Sequence, residues 1–115
     1  MKRDLDLIRL LLLLEETGET PEAMSGYTED QVLYHVELAI EAGLLQGAVV
    51  HDESGRVIGA TTEKLTWEGH DFLDAARNET VWKEVQGKVS KAGGAWTFEV
   101  VKALLVETVR RGLFG

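Results

Sequence analysis

Cysteine is absent from the 115-residue chain. That removes disulfides, thiolate zinc ligands and cysteine nucleophiles together, and leaves the redox compartment unmarked. Proline occurs once, at Pro21, so most breaks in the chain must come from glycine and capping residues. Long apolar runs are also missing. The leucine-rich start is unbroken only from Leu10 to Leu14, and Asp4, Asp6 and Arg9 interrupt it. No small-residue cleavage site follows, so neither a secretory signal nor a membrane span is expected, and the cytoplasm is the expected location. Basic residues are scarce: 12 Lys and Arg stand against 20 Asp and Glu, a net charge of -8. An acidic body opposes nonspecific binding to phosphate backbones, which depends on neutralising them with Lys and Arg.

The deficit is uneven. Residues 1–43 carry three basic and ten acidic side chains, residues 44–77 three and six, and residues 78–115 six and four. A chain of this length with 44% hydrophobic residues can build one compact core and is too short for two comfortable domains. The expected organisation is a core over residues 1–77, with a helical extension over residues 78–115 packed on that core or on a second copy.

Asp4 is placed to cap a first helix reaching about Glu16, in which Leu5, Ile8, Leu12 and Leu7, Leu11, Leu14 fill two adjoining stripes. Such a broad apolar surface implies burial on more than one side. Gly18 supplies the stop. Residues 19–26 are too short for a helix with its turns, so a single helical turn or a short extended edge is expected. Thr28 and Gln31 then form a capping box, with Tyr27 positioned to staple onto Val32. The second helix should run to Ala42, closed by Gly43 in the left-handed conformation and by Leu44.

At about 100° per residue, Val32, Val36, Ala39 and Ile40 share the inward face of this helix. Gln31, Tyr34, Leu38 and Glu41 then face outward, with His35 on a flank; these five are the candidate partner-contact residues. Tyr34 and Leu38 are either covered by the C-terminal helices or exposed as partner contacts. From Leu45 the pattern turns strand-like through His51. Asp52-Glu53-Ser54-Gly55 makes a turn, and a second strand ends at Leu65. Thr66 caps a third helix to about Arg77, in which Trp67, Phe72, Leu73 and Ala76 are the expected burying surface and Gly69 marks a close backbone approach. Asn78 or Thr80 starts a fourth helix, which Gly93-Gly94 breaks. A fifth begins at Thr97, with Trp96 stapled to Val101, and ends at Gly112 before an apolar Leu113-Phe114.

Nothing in this pattern carries catalysis. His35, His51 and His70 lack the paired spacing of a metal-binding helix, and read as surface or structural histidines. Ser25, Ser54 and Ser90 sit in no nucleophile turn, and Gly93-Gly94 is followed by no phosphate-loop signature. No enzyme activity, metal, cofactor or small-molecule ligand is expected. Glu68, Asp71 and Asp74 read as a solvated acidic face. Arg56 at the hairpin, with Lys83, Lys88, Lys91 and Lys102 behind it, is the candidate basic contact set.

The order helix, short segment, helix ending in EAGLL (residues 41–45), hairpin, then LTWEGHDFLDAAR (65–77) resembles winged-helix regulators. More closely, MKRDLDLIRLLLL (1–13), GYTEDQVLYHVELAIEAGLL (26–45), LTWEGHDFLDAARNETVWKEV (65–85) and GGAWTFEVVKALL (93–105) are similar to the domain of unknown function 2513 family. The likeness spans nearly the whole chain. It implies an α+β, winged-helix-like fold: helices, a two- or three-stranded antiparallel β-wing and two additional C-terminal helices. It also implies encoding in bacterial phage or prophage regions, and it brings no activity and no site residues.

Base reading favours Arg, Lys, Asn and Gln. Only Gln31 on the outward face of the second helix fits, while Glu37 and Glu41 would repel phosphates. The expected function is therefore that of a noncatalytic accessory or regulatory protein working through protein partners, a second copy of itself included. The alternatives are a winged-helix DNA-binding regulator, and an acidic phage inhibitor that occupies a host nucleic-acid-binding surface to blunt a defence system.

Overall fold

Each α-helix start in the computed structural model has a local chemical cause. Residues 1–91 and 97–114 are described, the side chains of residues 112–114 excepted. In order they form α1 (Leu5–Thr17), a 3₁₀ turn (Glu22–Gly26), α2 (Glu29–Glu41), β1 (Leu45–His51), β2 (Val57–Leu65), α3 (Trp67–Ala76), α4 (Glu79–Lys91) and α5 (Phe98–Phe114). They fall into two compact units, residues 1–70 and residues 71–115, the boundary lying inside α3.

In the first unit the Asp4 carboxylate accepts the Leu7 N–H and starts α1, while Gly18, at φ 75°, ends it by donating to the Leu14 carbonyl. The Thr28–Gln31 capping box starts α2 as expected. Its end is a Schellman turn: Leu44 N–H donates to the Ala39 carbonyl and Gly43 N–H to that of Ile40, with Gly43 at φ 77°. These bonds satisfy carbonyls that the helix itself cannot reach. Leu7, Leu10 and Leu11 of α1 pack with Met24 and Val36, and Tyr27, Val32 and Ile40 lean on this cluster. Burying each such leucine contributes about 1.5–3 kcal/mol. The 3₁₀ turn thus anchors residues 22–26 through one side chain, Met24.

The sheet is a two-stranded antiparallel hairpin, with register shifts at Gln46/Gly47 and Val50/His51 that leave Glu63 and Ile58 as the extra residues of β2. Such bulges add twist and let a lone hairpin cup a helix. The Asp52 carboxylate accepts the Ser54 N–H, the Ser54 hydroxyl and the Arg56 N–H, and Gly55 supplies the positive φ, 88°. The Ser54 hydroxyl first, then the Arg56 N–H, hold that carboxyl below its usual range. Arg56 pairs with Asp30 at 2.8 Å, His51 with Glu37, and the Thr62 hydroxyl donates to Glu15 at 2.6 Å. Three polar contacts therefore tie the hairpin to α1 and α2.

In the second unit Asn78 caps α4 by accepting the N–H groups of Thr80 and Val81, and Thr97 caps α5 by accepting that of Val100. Phe72 meets Trp82 edge-on and stacks on Phe98, with centroids 6.2 and 5.7 Å apart, and Val85, Val101 and Leu105 are buried. Arg111 reaches Glu84 at 3.3 Å. The helix expected to stop at Gly112 continues to Phe114, since a glycine two residues from a helix end costs no more than about 1 kcal/mol. The Gly93-Gly94 break and the Trp96 staple lie outside the described residues.

The buried Thr108 hydroxyl has no hydrogen-bond partner among the described residues. Valine keeps the shape and removes the desolvated hydroxyl, so Thr108→Val is expected to stabilise the protein by about 0.5–1 kcal/mol in a urea titration.

Candidate functional site

The expected outward face of α2 divides into three environments. His35 is not on a flank. It is 1% exposed, with Nε2 accepting the Asp4 N–H at 2.7 Å and Nδ1 facing the Gln31 carbonyl at 2.7 Å. Since a backbone N–H can only donate, Nε2 must be the bare nitrogen and Nδ1–H the donor. The ring is thereby removed from any partner surface. It instead joins α2 to the cap of α1.

Gln31 is half-buried and its Oε1 accepts the Thr28 N–H at 2.8 Å, so its amide oxygen serves the capping box. Tyr34 and Leu38 are half-buried and Glu41 is exposed.

Beside His35, the Tyr27 hydroxyl donates to Asp4 Oδ2 at 3.0 Å. Burial first, then the hydrogen bond to Asp4 and the charges of Asp4 and Asp6, push the phenol up from 10.0 to about 12. A raised folded value means stability that is whole below pH 10 and lost as pH climbs from 10 to about 12. In a Tyr34→Phe variant, the remaining phenolate absorbance of the folded protein is expected near pH 12, and near 10 in urea.

Of the basic candidates, Arg56 belongs to the first unit and Lys83, Lys88, Lys91 and Lys102 to the second. Arg56 is engaged by Asp30, and Lys88 lies 3.8 Å from Glu84. Lys83 and Lys91 on α4 are exposed and Lys102 on α5 is half-buried. Each cation thus has its own local setting.

A different feature gathers side chains around the α2–β1 and β2–α3 junctions. Thr66 stitches the two together: its N–H donates to the Leu44 carbonyl at 3.1 Å, its hydroxyl donates to the Gly43 carbonyl, and its oxygen accepts the Gly69 N–H at 2.9 Å. Gly69 is bare because a Cβ there would lie 2.0 Å from the Leu44 carbonyl oxygen. This close approach opens a cleft of about 880 Å³, lined among others by Glu41, Gln46, Lys64, Trp67, Glu68 and His70.

Trp67, expected to bury, is 86% exposed. Helical phase explains the difference: Phe72, Leu73 and Ala76 share one side of α3, and Trp67 falls roughly 170° round from their centre. The sequence thus contained the signal, hidden by the habit of counting tryptophan as core. Glu68 Oε2 leans toward the end of α2, 3.9 Å from where a Gly43 Cβ would sit. The α2 carbonyl end, Glu41 and Glu68 make the cleft mostly negative, with Lys64 the cation on its wall.

No group of three His, Asp or Glu among the described residues could hold a metal ion, and none of their helices is long and apolar enough to cross a membrane.

The described residues form an α+β protein of five helices, one 3₁₀ turn and a two-stranded antiparallel sheet. The chain belongs to the family described as Hypothetical protein (DUF2513), whose model matches residues 2–95. It is 32% identical over 108 residues to a Haemophilus influenzae protein named "Uncharacterized protein", covering 89% of this chain and 90% of that one. No solved structure matches it.

Proposed function

We propose that this is a noncatalytic binding protein that works as an accessory or regulatory factor through protein–protein contacts, with Trp67 as an anchor. The single observation that carries this reading is the 86% exposure of Trp67 at a cleft joining four secondary-structure elements. Tryptophan is over-represented among the residues that dominate protein interfaces, because a large rigid ring buries area at little entropic cost. The negative wall of Glu41 and Glu68 disfavours nucleic acid there and suits a partner with cationic side chains. Affinity capture with wild-type protein and with Trp67→Ala tests it. The reading requires a protein captured by the wild type, lost with the variant, and showing the same difference when purified and titrated by calorimetry. Equal capture by both forms would sink it.

A second reading has support from the element order. α1, the 3₁₀ turn, α2 and a hairpin leading into α3 follow the succession of a winged helix, with β1–β2 as the wing and the 3₁₀ turn in place of a full helix. As a DNA-binding regulator the protein would use Arg56 at the wing, after releasing Asp30, and the lysines of α4 and α5. Its signature is a gel shift with upstream DNA at low salt that weakens steeply as salt rises. An acidic phage inhibitor of a nucleic-acid-binding protein is a special case of the first reading. A captured partner that itself binds nucleic acid, and loses it on mixing, would distinguish that case.

A further inference from the structure

α5 buries Val101, Leu105 and Thr108 on one side and leaves Glu99, Ala103, Val106 and Arg110 exposed on the other. These four are spaced by four, three and four residues, the alternation of a coiled-coil seam. Val106 is 59% exposed, and a shallow groove of about 420 Å³ runs along the same side. The ion pairs of this unit include Glu84 with Lys88 and Arg111, Glu107 with Arg111, and Asp74 with Arg77. Glu99 and Arg110 stay unpaired among the described residues.

We propose that this stripe is an interface between two copies of the chain, with their α5 helices antiparallel about a two-fold axis between Leu104 and Leu105. In that register Glu99 of each copy faces Arg110 of the other, and Ala103 faces Val106, so that a small side chain receives a larger one at the centre. The two-fold axis repeats every contact, giving a matched ion pair at each end. A parallel pairing would set Glu99 against Glu99 and Arg110 against Arg110. Opposed helix dipoles favour the same antiparallel choice. A four-residue stripe falls below the roughly 800 Å² per partner of a standard stable interface, so the dimer is weak and depends on concentration. The interface uses none of the residues that line the Trp67 cleft, and the proposal stands independently of that cleft.

Sedimentation equilibrium up to about 1 mM protein, with folding checked by circular dichroism, reads the association. Wild type is expected to dimerise over this range. R110E and E99R each place like charges at both ends, and are expected to weaken the dimer about tenfold or more. The double variant E99R/R110E restores opposite pairs, and should return to within about threefold of wild type. A wild type monomeric throughout, single reversals without effect, or a double variant as weak as the singles would each overturn the proposal. Because the chain has no cysteine, A103C and V106C variants give a second measurement that leaves the charges untouched. Mixed and oxidised, they should form the crossed disulfide in preference to either self-disulfide, whereas a statistical or self-preferring mixture contradicts the antiparallel register.

Discussion

Gly69→Ala is expected to lower stability by about 3 kcal/mol, although the same exchange elsewhere in a helix stabilises. Alanine exceeds glycine in helix propensity by about 1 kcal/mol, and propensity alone would predict a gain. Packing reverses the sign. The added methyl would lie 2.0 Å from the Leu44 carbonyl oxygen and 3.0 Å from its carbon, and these are backbone atoms that no rotamer change can move aside. That carbonyl also accepts the Thr66 N–H at 3.1 Å, so displacing it loosens the stitch between α2 and α3 as well. Gly87, inside α4, provides the internal control, since nothing lies within 4 Å of its added Cβ. Gly87→Ala should gain about 0.5–1 kcal/mol. Urea denaturation of both variants checks the pair. A neutral or stabilising Gly69→Ala would mean that the α2–α3 junction is looser than described, and that the cleft it shapes is not fixed.

His35→Leu is the second large effect, expected to cost about 2–4 kcal/mol despite a gain in hydrophobicity. The side chain is buried and uses both ring nitrogens, one for the Asp4 N–H and one for the Gln31 carbonyl. Leucine fills the space but leaves the Asp4 N–H without an acceptor, at the residue whose carboxylate caps α1 and receives the Tyr27 hydroxyl. The loss therefore spreads to three elements, and Tyr27 should titrate closer to its ordinary value in the variant. His35→Gln, whose Oε1 can reach a position near that of Nε2, is expected to recover about half of the loss. Ring ¹⁵N shifts of the wild type should report the neutral Nδ1–H form. A solvent-like His35 signal, or a leucine variant of undiminished stability, would contradict the buried bridge.

Both residues show how far local pattern reaches. Gly69 was legible because a residue of poor helix propensity stood in an otherwise well-formed helix start, and close packing accounts for that choice. His35 was not legible in its role. Its acceptor function depends on Asp4, which lies 31 residues away, and nothing in the helical repeat of α2 says which neighbour will cover that flank. Trp67 stands between the two. Its phase opposite Phe72 was present in the sequence, but exposure of a tryptophan follows only when no other element closes over it.

By itself the sequence determined the starts of α1, α2, α3 and α5, because the caps at Asp4, Thr28, Thr66 and Thr97 act within three residues, and it narrowed that of α4 to Asn78 or Thr80, of which Asn78 is the cap. It also determined the helix and hairpin turns at Gly18, Gly43 and Gly55, because positive φ is a property of one residue. Tertiary structure alone decided that His35 is a buried bridge, that Tyr34 and Leu38 are half-covered, and that the Trp67 cleft forms where α2 and α3 touch. Those outcomes depend on which distant groups meet, and a chain's local preferences carry no term for that meeting.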